Sequence, residues 1–158
     1  MKTKLLLLFL VIFSLGKAQV TFSENFDATT PDLTGWVYSD FALNSNLPCS
    51  GTKSLTKDFN AINSTGTVTT KNYVSNGGAI TFTHTYKMLK LGLNNAQADF
   101  KLGYSVNNGP NVTVLYLSGG YVSSCSAGFT MDIPASAVPA GSNVKIWVQY
   151  IQRDYTFR

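Results

Sequence analysis

The stretch "NVKIWVQYI", residues 143–151, sets Val144, Ile146, Val148 and Tyr150 against Lys145, Trp147, Gln149 and Ile151. Strict alternation in a run rich in β-branched and aromatic residues is the pattern of a strand with one face buried. Two other stretches read the same way. In "AITFTHTY", residues 79–86, Ile80, Phe82, His84 and Tyr86 oppose Thr81, Thr83 and Thr85. In "ADFKLGYSV", residues 98–106, Phe100, Leu102, Tyr104 and Val106 oppose Lys101, Gly103 and Ser105.

Further strands are expected over residues 20–26, near Trp36, over 54–59, 67–74 and 112–117, and near 129–133. Turn-forming "NGG", "NNGP", "SGG" and "PAG" lie between them. No stretch sustains a helical period, and "LKLGLNNAQA", residues 89–98, reads as a loop because Gly92 and two asparagines disfavour helix. Many short strands at near-regular spacing predict an all-β fold, an antiparallel β-sandwich of jelly-roll type.

The chain begins with Lys2 and Lys4, an apolar run from Leu5 to Leu15, and then Gly16, Lys17 and Ala18. A basic start, a short apolar middle and small residues before a cut describe a signal peptide over residues 1–18, with a sandwich domain over 19–158. The run is shorter than the roughly 20 residues a membrane span needs. The expected protein is therefore secreted or on the cell surface, with no membrane span after cleavage. The formal charge is +4, with 12 Lys and Arg against 8 Asp and Glu. Three of those lysines belong to the leader, so the remainder is almost balanced and shows no basic cluster for nucleic acid.

Cys49 and Cys125 are the two cysteines. In an exported chain a single disulfide is the natural pairing, with two free thiols as the alternative. Catalysis finds little support. Glu24 is the sole glutamate, His84 the sole histidine, and neither paired glycosidase carboxylates nor a G-x-S-x-G motif is present. His84 shares its face with Phe82 and Tyr86, which makes it a core or cross-strand histidine rather than a base. The expectation is that the protein is not an enzyme.

Binding is more legible. Trp147 falls on the polar side of its strand with Lys145 and Gln149. With Lys101, Ser105, Thr81, Thr83 and Thr85 from neighbouring strands, it would form a polar platform able to stack and orient a sugar ring. The alternative is that a loop or the other sheet covers this face and makes Trp147 core. Trp36, in the "TGW" turn, reads as a plug at the sandwich edge.

"TFSENFD", residues 21–27, places Glu24 between Phe22 and Phe26 on the expected core face, where a carboxylate needs a partner. The first strand of a sandwich commonly lies near the last, so Arg153 or Asp154 could approach Glu24, as an ion pair with Arg153 or by sharing a cation, a calcium ion held by Glu24, Asp27 and Asp154.

"FSENFD", then "GW" at Gly35 and Trp36, "GTKSL" from Gly51 to Leu55, "ITFTHTYKM", "ADFKLGYSVNNG" and "VKIWVQYI", in that order, resemble the cleaved-adhesin or choice-of-anchor J domains. These are related to MAM-type jelly rolls and occur in secreted and surface proteins of Bacteroidetes. The resemblance implies a jelly roll, a structural calcium near the first-strand acid, and adhesion to glycans or to host or matrix proteins as one module of a longer protein. A structural accessory domain attached to a secreted peptidase is the alternative, and a jelly-roll glycoside hydrolase a third. The chain departs from the family after Arg158, where a further acidic strand and a type IX sorting domain would be expected, which leaves room for a missing last strand.

Overall fold

The computed structural model describes residues 22–45, 48–59, 63–88, 97–120, 124–126 and 128–154, with the backbone alone at 97, 119, 120 and 154. The leader over 1–18, most of the loop over 89–98, the side chain of Asp154 and everything after it lie outside the described residues. Among the described residues nine strands follow in chain order: β1 (Ala42–Asn44), β2 (Ser54–Thr56), β3 (Thr65–Thr69), β4 (Tyr73–Val74), β5 (Ile80–His84), β6 (Gln97–Val106), β7 (Val112–Gly120), β8 (Phe129–Ile133) and β9 (Asn143–Asp154). A short 3₁₀ turn spans Ala135–Ala137. No helix among the described residues is long and apolar enough to cross a membrane.

The larger sheet runs β3, β9, β6, β7, with β4 also on β9, and every pairing in it is antiparallel. β5 and β8 pair antiparallel in a second layer, and β1 and β2 form a separate hairpin. The pairs are nested: β3 with β9 outermost, β5 with β8 inside it, β6 with β7 innermost, alternating between layers. That nesting is the wrap of a jelly roll. The core lies between the layers, with Phe100 and Leu102 from β6 and Ile146 and Val148 from β9 facing Met131 and Ile133 from β8. The period-two side chains of the opening stretch thus point where the alternation puts them.

Differences from the expected strands have local causes. The segment from Phe22 is not a strand. Glu24 Oε1 accepts the amide of Phe26 at 2.6 Å, and Asn25 Oδ1 accepts that of Asp27 at 3.1 Å, so side chains take donors a ladder would need. Phe26 also sits at φ 61°, the left-handed region that a strand cannot use. Near Trp36 there is a single bridge, Val37 to Thr69. Of residues 54–59 only Ser54–Thr56 pair as a strand. The expected strand over 67–74 divides into β3 and β4 at Thr70, whose hydroxyl accepts the amide of Ile146 at 3.0 Å in place of a backbone carbonyl. β1 is not legible in the sequence, because three residues show no period.

Cys49 and Cys125 form a disulfide, with Cα atoms 5.3 Å apart across a sequence separation of 76. It ties the segment before β2 to the segment before β8.

Candidate functional site

The second layer is not one sheet. Among the described residues β2 pairs only with β1, and β5 only with β8, so the edges of β2 and β5 are not joined there. A cleft of about 600 Å³ opens beside them, within the size range of small-ligand sites. Val68 and Thr70, next to Ile146, Val148 and Tyr150 of β9, contribute from the larger sheet. Aromatic residues Phe22, Phe26, Trp36, Phe41 and Tyr86 border it, together with the lysines Lys53, Lys57 and Lys87. Trp36 reaches this place because the chain turns at Gly35, φ +78°, with the Trp36 amide donating to Leu33 O at 2.9 Å. Its ring meets Phe26 edge-on, with centroids 6.3 Å apart.

Deep in the cleft, His84 Nε2 and the Tyr150 hydroxyl share a hydrogen bond of 2.6 Å. The imidazole lies parallel to Tyr86 and Phe100, centroids 5.7 and 5.9 Å away. Desolvation among these rings lowers the His84 pKa to about 4, so the ring is neutral at pH 7. Burial likewise raises the phenols of Tyr86 and Tyr150. The pair offers a neutral hydrogen-bonding group at the base of an aromatic wall. Of the lysines, Lys57 is paired with Asp40 at 2.9 Å, whereas Lys53 donates to the carbonyls of Ala28 and Thr29 and Lys87 to that of Pro48.

Glu24 also borders the cleft, and among the described residues it is the one carboxylate lining it. Its Oε1 accepts the Phe26 amide, while the side chain of Asp154 lies outside the described residues. Arg153 instead holds Asp99, donating from Nε at 2.6 Å, while Tyr116 and Ser118 donate to the same carboxylate at 2.8 and 3.0 Å. Asp99 is fully buried, so the guanidinium and two hydroxyls compensate a charge that would otherwise be costly.

The expected sugar platform takes a different form. Lys101, Lys145, Trp147 and Gln149 do share the outer face of β6 and β9, since Lys101 pairs with Gln149 and Gly103 with Trp147. The Trp147 side chain, however, is not displayed: the residue is 5% exposed and lies outside the core cluster between the layers. The indole crosses Gly103, where an added Cβ would stand 2.5 Å from Cζ2, so the missing side chain of Gly103 makes room for it. A covered ring has no face for a sugar. Gln149 donates to the Thr67 hydroxyl at 3.2 Å, Lys145 to Asn108 at 3.0 Å, and Lys101 lies over the Tyr116 ring at 5.4 Å. Thr83 belongs to the other layer, with its hydroxyl 3.4 Å from that of Thr130, and it borders the cleft instead.

Of the residues expected to hold calcium, Asp154 has its side chain outside the described residues, and Glu24 and Asp27 turn to different partners. Asp27 Oδ1 accepts the Thr52 amide at 2.5 Å, the Thr52 hydroxyl at 3.2 Å and the Lys53 amide at 3.2 Å, and these donors lower its pKa. Glu24 is turned to Phe26. Among the described residues no three of His, Cys, Asp and Glu form a group able to hold a metal ion.

The cleft leaves no trace in the sequence, because it arises where two strand pairs, β1 with β2 and β5 with β8, are not joined rather than within any one strand. Its only forewarning is Trp36, expected as an edge plug.

No protein-family model matches the chain, and no curated protein matches it. A solved structure titled "CBM4 structure and function" is similar at a TM-score of 0.40 and 16% identity, covering 79% of this chain and 94% of that chain. A likeness of that degree has no bearing on function.

Proposed function

We propose that this chain is an exported, non-catalytic binding module that takes a glycan into the cleft beside β2 and β5, as part of a secreted or surface protein. The observation that carries this reading is the lining itself: aromatic rings of Phe26, Trp36 and Tyr86 beside the hydroxyls of Ser50, Thr56 and Thr83. Rings that stack and short polar groups that orient are what a sugar needs from a site. Among the described residues one lining carboxylate, Glu24, stands where glycosidic hydrolysis ordinarily uses two. The Cys49–Cys125 disulfide suits an oxidising compartment. The ordered motifs that resemble cleaved-adhesin domains support an adhesive role.

The test is a glycan array followed by affinity measurement on the bound sugar. Trp36→Ala is expected to weaken binding about tenfold through lost stacking, and Trp147→Phe, on the covered outer face, to leave it unchanged. Absence of any glycan signal from the folded protein removes the reading and favours a structural accessory role.

A further inference from the structure

Two lysines of the cleft keep their charge and part of their hydrogen-bonding capacity. Lys53 immediately precedes β2 and Lys87 follows β5, so they come from the two strand pairs that the gap separates. Lys53 Nζ donates to Ala28 O at 2.7 Å and Thr29 O at 3.2 Å, and Lys87 Nζ donates to Pro48 O at 3.5 Å. Carbonyls hold an ammonium in place without cancelling its charge, and an ammonium has three N–H groups to give. One donor of Lys53 and two of Lys87 are left over. Among the described residues neither forms an ion pair, whereas Lys57, the third lysine of the lining, is paired with Asp40. The Asp27 carboxylate, which Lys53 helps to keep charged, is already taken up by Thr52 and the Lys53 amide. Ser54, the first residue of β2, adds a separate observation. Its Oγ is buried in the lining and has no hydrogen-bond partner among the described residues. A buried hydroxyl without a partner is costly, and one beside an open cleft points to an atom of a ligand.

We infer that the glycan of the cleft is acidic, its carboxylate or sulfate group received by the Ser54 hydroxyl and the ammonium groups of Lys53 and Lys87. The inference rests on the cleft as a glycan site and adds the class of sugar. A neutral sugar presents hydroxyls, which donate as readily as they accept, and it leaves both ammonium groups facing no charge. An oxyanion presents acceptors alone, and hydrogen bonds between charged partners are the stronger kind. The charge of the lining leans the same way: with Lys57 set against Asp40, Lys53 and Lys87 stand against Glu24 alone among the described residues. Glu24 is moreover engaged, since its Oε1 accepts the Phe26 amide. The carbonyl bonds of the two lysines also fix their positions before a ligand arrives, which lowers the ordering cost of binding.

An array printed in matched sets tests this, each neutral oligosaccharide beside its uronic acid and its O-sulfated counterpart. The wild type is expected to bind a charged member about tenfold or more tightly than its neutral partner. That margin should fall as salt is raised toward about 1 M. Lys53→Gln and Lys87→Gln should each shrink it severalfold, and Ser54→Ala should shrink it as well. Lys145→Gln, on the outer face of the larger sheet, removes a charge elsewhere and should keep it. The salt series uses the unaltered protein, so it decides the matter even if a variant folds poorly. A margin for either anion supports the inference, and the anion bound more tightly identifies the group. Equal binding of charged and neutral members, a margin unmoved by salt, or folded lysine variants that keep the whole margin would each overturn the inference and leave the glycan reading standing. Silence across every set removes both.

Discussion

The Tyr150 hydroxyl on β9 and His84 Nε2 on β5 meet at 2.6 Å, one hydrogen bond that spans the two layers at the base of the cleft. The geometry has a pH consequence. His84 titrates at about 4 in the folded protein against an ordinary 6.5. Between those values the unfolded chain binds a proton that the folded one refuses, so stability is complete above the upper value and declines as pH falls toward the lower. The expected loss is about 2 kcal/mol, less than the whole shift implies because the ring borders the open cleft. Urea unfolding at neutral and acid pH measures it, and His84→Gln should flatten that part of the pH dependence.

Asp99 is the second sensitive point. Its carboxylate gathers Arg153, Tyr116 and Ser118. Asp99→Ala is expected to cost about 3 kcal/mol, since it removes the acceptor from three donors at a fully buried position. Tyr116→Phe should cost about 1 kcal/mol, and Arg153→Leu should destabilise in the same direction. Equilibrium unfolding of the three variants ranks them. A stable Asp99→Ala protein would mean that the cluster is not compensating a buried charge.

Gly103 should tolerate no side chain. A Cβ there would collide with the Val112 carbonyl and stand 2.5 Å from the Trp147 ring, so both β7 and the indole must shift. Gly103→Ala is expected to lower stability by about 3 kcal/mol, the scale of an overpacked interior. Calorimetry reads the loss, and adding Trp147→Val should restore only part of it, because the backbone oxygen of Val112 stays in place.

For the calcium expected at Glu24, Asp27 and Asp154, melting in saturating calcium and in chelator is the direct measurement. No shift at saturating calcium would remove the ion from this loop, where Asp27 Oδ1 already accepts from three donors. A rise in melting temperature with calcium, lost in Asp27→Asn, would assign the ion to this loop after all.

The strands with long alternations are legible from the residues alone. β5, β6, β8 and β9 stand where Phe82, Leu102, Met131 and Val148 put them, because a half-buried strand imprints its period on consecutive residues. Residues 22–26 mislead for the same reason: Phe22, Glu24 and Phe26 alternate, but Glu24 and Asn25 bond to neighbouring amides and break the ladder. The polar face of β9 is likewise legible as a face. Whether Trp147 is open on it depends on what covers it, and alternation carries no information about that.

The sequence by itself determined an antiparallel sandwich, its inward residues and the presence of two cysteines suited to a disulfide, all consequences of chemistry local to the chain or of its composition. The tertiary structure alone decided that Arg153 serves Asp99 rather than Glu24, that Trp147 is covered, and that a cleft opens between β2 and β5. Those outcomes depend on which strands share a hydrogen-bonded edge. Edge pairing is a contest among distant segments, and no short stretch of residues encodes its result.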